Sequence, residues 1–79
     1  MDNSQANTQN IENWRDKIIM QILTIRDEGL TNMFNTRNVY SLAVSKDFYE
    51  LADFITANDK GYAKFILTGD REQLIMPSE

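Results

Sequence analysis

Between Ile11 and Glu28 the apolar residues recur at helical spacing. Ile11, Trp14, Ile18, Ile22 and Ile25 lie three, four, four and three positions apart, which places them on one stripe of an α-helix. Ile19 and Leu23 form a second stripe about 100° around the same axis. Gly29 ends the pattern and suits the left-handed residue after a helix end. Thr31 to Thr36 reads as a connection, with Asn35 or Thr36 available to cap the next helix. Met33 and Phe34 are too apolar for a solvated loop and are expected to fold back onto the core.

Three shorter helices follow. The second covers about 37–44. The third starts near Lys46 or Asp47 and runs to about Ala57. Phe48, Leu51, Ala52, Phe54 and Ile55 share its inward arc, and Tyr49, Glu50 and Asp53 the opposite one. Asp47 is expected at its start, where a carboxylate complements the positive helix end. The fourth begins near Asn58 or Asp59, turns Tyr62, Phe65 and Ile66 inward, and closes at Thr68-Gly69-Asp70. The pattern predicts an all-α fold: a small bundle of about four helices, one long N-terminal helix followed by three shorter ones. Residues 1–10 are polar and read as a flexible tail, with Asn10, or Asn7 or Thr8 before it, as the helix cap. Residues 11–70 form the single helical domain. Residues 71–79, with Leu74, Ile75, Met76 and Pro77, form a C-terminal tail that serves as an extra turn, a strand or a strap across a neighbouring surface.

Size sharpens this picture. A 79-residue chain buries only about 60% of the surface exposed when it unfolds. With no cysteine and no histidine, disulfides and the commonest metal ligands are absent, and self-association is the common alternative source of buried area. The two stripes of the first helix exceed what three short helices can cover. A homodimer is therefore expected, with the stripe from Ile18 onward in the intrachain core. Ile11, Trp14, Ile19 and Leu23 are assigned to the interface, joined by Met20 or by Leu74 to Met76.

The candidate chemistry is sparse. Asp27 with Glu28, and Glu50 with Asp53, are possible acid–base pairs, but carboxylates at these spacings ordinarily form solvated helix faces. Ser41 and Ser45 lack a histidine base. No calcium-loop spacing occurs. The sequence thus predicts no enzyme, no cofactor and no metal. The second and third helices approximate a helix-turn-helix, yet the face that would read DNA carries Tyr49, Glu50 and Asp53, and the net charge is −4. Nucleic-acid binding is not expected, and neither is membrane binding. The acidic balance also suits a mimic of DNA phosphates, although −4 is modest for one. Tyr49, Glu50 and Asp53 are the surface residues assigned to a protein partner. A cytoplasmic location fits the absence of cysteine, of a signal peptide and of a long apolar run.

Four segments in fixed order, Ile22 to Gly29, Thr31 to Phe34, Phe48 to Leu51 and Phe65 to Gly69, resemble a family of short phage and prophage proteins of Gram-positive bacteria. The resemblance covers about half the chain. It implies a small inhibitor of bacterial anti-phage defence, such as the Hachiman helicase–nuclease system, that binds a host defence protein in the host cytoplasm. It supplies no catalytic residues. A DNA-binding regulator and a self-associating assembly protein are the alternatives.

Overall fold

The computed structural model describes residues 3–75, with side chains from Glu12 onward. Ile11 and Met76 of the expected dimer contact lie outside the described side chains. Four helices follow one another: α1 (Asn3–Glu28), α2 (Thr36–Ser45), α3 (Tyr49–Ala57) and α4 (Asp59–Thr68). A 3₁₀ turn, Arg71–Gln73, comes last. This is the all-α arrangement that the periodicity predicts, a long first helix and three shorter ones, with no strand among the described residues.

α1 starts at Asn3, not near Ile11. Asn7, Thr8 and Asn10 therefore lie within the helix instead of capping it. Once a helix is nucleated, each further residue adds one hydrogen bond, and polar residues of this kind cost only tenths of a kcal/mol each. At its other end α1 stops at Glu28, and Gly29 takes a φ of +66°.

Ile18, Ile22 and Ile25 of α1 are fully buried. Against them pack Val39 and Ala43 of α2, and Leu51, Ala52, Phe54 and Ile55 of α3. Tyr62 of α4 and Leu74 beyond it complete the core. Tyr62 is the largest side chain in it, and its hydroxyl donates to the Met33 carbonyl at 2.6 Å. That bond ties α4 to the connection between α1 and α2. Burial pushes the Tyr62 phenol pKa well above its ordinary value. Tyr62→Phe leaves the Met33 carbonyl without this donor. It is expected to cost about 1 kcal/mol, read as a lower urea midpoint with an unchanged m-value.

The caps show how the sequence sets the corners. Asn35 accepts from the Asn38 amide at 3.1 Å at the start of α2, and Asn58 accepts from the Gly61 amide at 3.0 Å at the start of α4. The turn between α2 and α3 corrects one expectation. Asp47 is not at the front of α3; it is the left-handed residue that closes α2, with φ of +61°. The Phe48 amide bonds back to the Ala43 carbonyl at 2.8 Å and the Asp47 amide to the Val44 carbonyl at 3.1 Å. These are the paired bonds of a Schellman closure. Asp tolerates a positive φ better than most residues, and the closure swings Phe48 onto the core.

The expected folding-back of Met33 and Phe34 divides. Met33 packs on the core; Phe34 is exposed. The Asn32 side chain accepts from the Phe34 amide at 2.8 Å, which fixes a local turn and lets only one of the two adjacent side chains point inward.

The C-terminal segment straps across its own chain. Leu74 is fully buried, so it belongs to the intrachain core and not to a dimer contact. The Arg15 Nε donates to the Leu74 carbonyl at 3.1 Å. Asn58 donates to the Ile75 carbonyl at 2.8 Å. The Arg71 guanidinium donates to Glu12 at 3.0 Å and also to Asp16. Gly61 lies beneath the strap, and a Cβ there would stand 2.7 Å from the Gln73 carbonyl oxygen.

Candidate protein-docking groove

α1 and α4 are filled at one end of their shared crevice and open at the other. The strap and Leu74 fill the end beside Arg15. Toward the C-terminus of α1 the crevice stays open as a groove of about 260 Å³. Ile22, Leu23 and Arg26 form one wall, Phe65 and Ile66 the other, and Met33 lies between, with Gly69 at the margin. The helical period of α1 places Ile22 and Arg26 one turn apart. Gly69 permits the turn that ends α4 beside them, with φ of +73°. Phe34 and Leu67, next in the chain to Met33 and Ile66, are exposed, Leu67 to 74%, and so is Leu30.

The lining of the groove is mainly aliphatic and aromatic. Its one ionisable side chain is Arg26, whose described partner is Asp27 at 3.5 Å. Among the described residues no three acidic groups converge as a metal site. The Asp27 and Glu28 pair is divided between Arg26 and Lys46. Ser45 donates to the Leu42 carbonyl at 2.8 Å, an intrahelical bond, and Ser41 is exposed. No helix among the described residues is long and apolar enough to cross a membrane.

The residues assigned from sequence are scattered relative to this groove. Leu23 lines it and is 37% exposed. Ile19 and Trp14 are half-buried against the core, and Trp14 meets Phe54 edge-on, with ring centroids 5.7 Å apart at 74°. Most of the surface these two offered to a second copy is thus turned inward. Tyr49 is exposed; its hydroxyl donates to Asp47 at 2.9 Å, and that hydrogen bond, with the Asp47 charge, raises the phenol pKa. Asp53 is exposed on the same helix. Glu50 is engaged within the chain. It accepts from Gln21 at 2.9 Å and pairs with Lys17 at 3.2 Å, and its pKa is lowered, first by the Gln21 bond.

Gln21 itself was not legible as a functional or structural position. It is buried, and its Oε1 accepts from the Leu51 amide at 3.0 Å. Phe48, at the N-cap of α3, makes no side-chain cap bond. α1 therefore supplies the cap of α3 through space.

A family model described as a domain of unknown function, DUF5049, matches residues 14–70. The chain belongs to this family. The DUF5049 region begins at Trp14, the first of the described side chains that packs on the core, and ends at Asp70. It contains every residue of the groove and stops before the strap. No curated protein matches the chain, and no solved structure does.

Proposed function

We propose that this DUF5049 chain is a small non-enzymatic binding protein whose α1–α4 groove receives an apolar segment of a protein partner. The observation that carries this reading is the groove itself. It is an apolar depression left open in a small domain, and Phe34 and Leu67, next in the chain to its lining residues Met33 and Ile66, are exposed. Exposed apolar patches rimmed by polar residues are characteristic of protein-interaction sites. The partner class follows from the sequence resemblance: a host protein of bacterial anti-phage defence, blocked by a phage inhibitor inside the bacterial cell.

The test is expression in bacteria that carry single defence systems, Hachiman among them. The wild-type chain is expected to restore phage growth in one of these hosts and to co-purify with a component of that system. Leu23→Asp puts a charge on the groove wall and is expected to abolish both effects while the helical circular dichroism persists. Retention of both effects by a folded Leu23→Asp variant rejects the groove as the contact.

A homodimer is a second reading, favoured by an exposed edge of the same helix that meets the groove wall at Leu23. Met20 and Leu23 are both exposed and lie three residues apart on α1. Self-association through them is expected to give a dimer mass by light scattering at tens of micromolar and a monomer mass for Met20→Asp. A monomer mass for the wild-type chain rejects it.

A further inference from the structure

The strap shows how the α1–α4 crevice holds a length of chain. Leu74 enters the core, and its carbonyl is taken by the Arg15 Nε at 3.1 Å. One aliphatic side chain and one main-chain oxygen are secured together. Arg26 lies eleven residues further along α1. At 3.6 residues per turn this is three turns, with a rotation of only about 20°, so Arg15 and Arg26 share a face of the helix. Arg15 stands at the filled end of the crevice, with its side chain only 13% exposed. Arg26 stands at the open end, 60% exposed and on the groove wall. Between Leu23 over the buried Ile22 and the facing Phe65 and Ile66, the open end offers an apolar wall and a guanidinium as the filled end does, and none of the described residues occupies it.

We propose that the open half of the crevice binds an extended segment of a partner protein as the filled half binds the strap. A leucine or isoleucine side chain enters between Leu23 and Phe65, over the buried Ile22, and Arg26 donates to the main-chain carbonyl of the same residue. The inference rests on the groove reading above and adds to it the form of the ligand. The continuity of the two halves along one helix face argues for a chain segment. The single guanidinium, already balanced by Asp27, favours a neutral carbonyl acceptor over an anionic ligand.

The probe is the tripeptide acetyl-Gln-Leu-Ile-amide, which repeats Gln73 to Ile75 of the strap, titrated into the full isotope-labelled chain. Saturable shifts at millimolar peptide are expected at Ile22, Leu23, Met33, Phe65, Ile66 and the Arg26 Nε. The same peptide with asparagine in place of leucine is expected to produce none. Arg26→Gln is expected to weaken binding roughly tenfold, the loss of one hydrogen bond from a charged donor, with the spectrum otherwise unchanged. Shifts confined to Arg15, Asn58 and Leu74 mean that the peptide displaces the strap, and overturn the proposal. So does equal affinity in Arg26→Gln, or the absence of saturation. Failure of this inference is separable from failure of the groove reading. Loss of partner capture in Leu23→Asp with full capture in Arg26→Gln removes the carbonyl anchor and keeps the groove; full capture in both removes the groove.

Discussion

Gly61→Ala is expected to destabilise the protein by about 2–4 kcal/mol, against the sign that helix propensity assigns to it. Gly61 is the third residue of α4, and alanine in place of a helical glycine ordinarily gains up to about 1 kcal/mol. Here the new Cβ would lie 2.5 Å from the Asn58 Nδ2 and 2.7 Å from the Gln73 carbonyl oxygen. Neither neighbour is free to retreat. The Asn58 side chain is held at both ends, accepting from the Gly61 amide and donating to the Ile75 carbonyl. The Gln73 oxygen is backbone, and the strap that carries it is fixed by Arg15 and by the Arg71 contacts to α1. The strap must lift. Leu74 then loses burial worth about 1.5–3 kcal/mol, and the Asn58 cap, worth about 1 kcal/mol, is strained. Urea denaturation of the variant reads the difference as a lower midpoint. Leu74→Ala supplies the cross-check. Both substitutions act through the same docking, so the double variant is expected to fall well short of the sum. A rise in stability for Gly61→Ala means that the strap does not lie against α4 as described.

What the sequence made legible and what it did not divide along the range of the interaction. The stripe of Ile18, Ile22 and Ile25 is a property of one helix, and all three are buried. Asn35, Gly29 and Gly69 act within four residues of their own positions, as does the capping oxygen of Asn58, and these roles follow from local chemistry. Asp47 was ambiguous even locally, because an aspartate suits both a helix front and a left-handed turn; the Phe48 amide bond to Ala43 decides between them. Contacts across the chain left no periodic trace. The apolar Leu74 to Met76 allowed an extra turn, a strand or a strap across a neighbouring surface, but did not show that the surface is the chain's own, with the Leu74 carbonyl bonded 59 residues back to Arg15. The groove is of the same kind. Leu23 stands out on the second stripe of α1, but Met33, Phe65 and Ile66 read as ordinary inward residues until the turn after α1 and the end of α4 are seen to leave space between them.

Gln21→Leu is the second large effect, expected at about 2–3 kcal/mol, although it replaces a buried polar residue with an apolar one of similar size. The Gln21 Oε1 is the acceptor for the Leu51 amide, the third residue of α3 and one of the donors a helix leaves unpaired at its start. Phe48 has no side-chain oxygen to take its place. Leucine buries the Leu51 N–H without a partner, which costs about 1–3 kcal/mol, and removes the amide that donates to Glu50 at 2.9 Å. The pH dependence gives an independent reading. In the folded chain the Glu50 carboxyl is held below its ordinary value near 4.5, first by the Gln21 bond and further by its backbone hydrogen bond and by Lys17. A carboxyl with a lowered folded-state pKa contributes stability above its ordinary value and loses it as pH falls through the folded value. Wild-type stability is therefore expected to decline below about pH 4.5, and Gln21→Leu is expected to lose part of that decline. Gln21→Glu reverses the sign. It keeps an acceptor for the Leu51 amide but sets a second carboxylate against Glu50, so it is weakest at neutral pH and recovers as acid protonates one of the pair. Thermal melts of the three proteins from neutral pH to below 4.5 decide the matter. Parallel curves for wild type and both variants place Glu50 outside the network that Gln21 builds between α1 and α3.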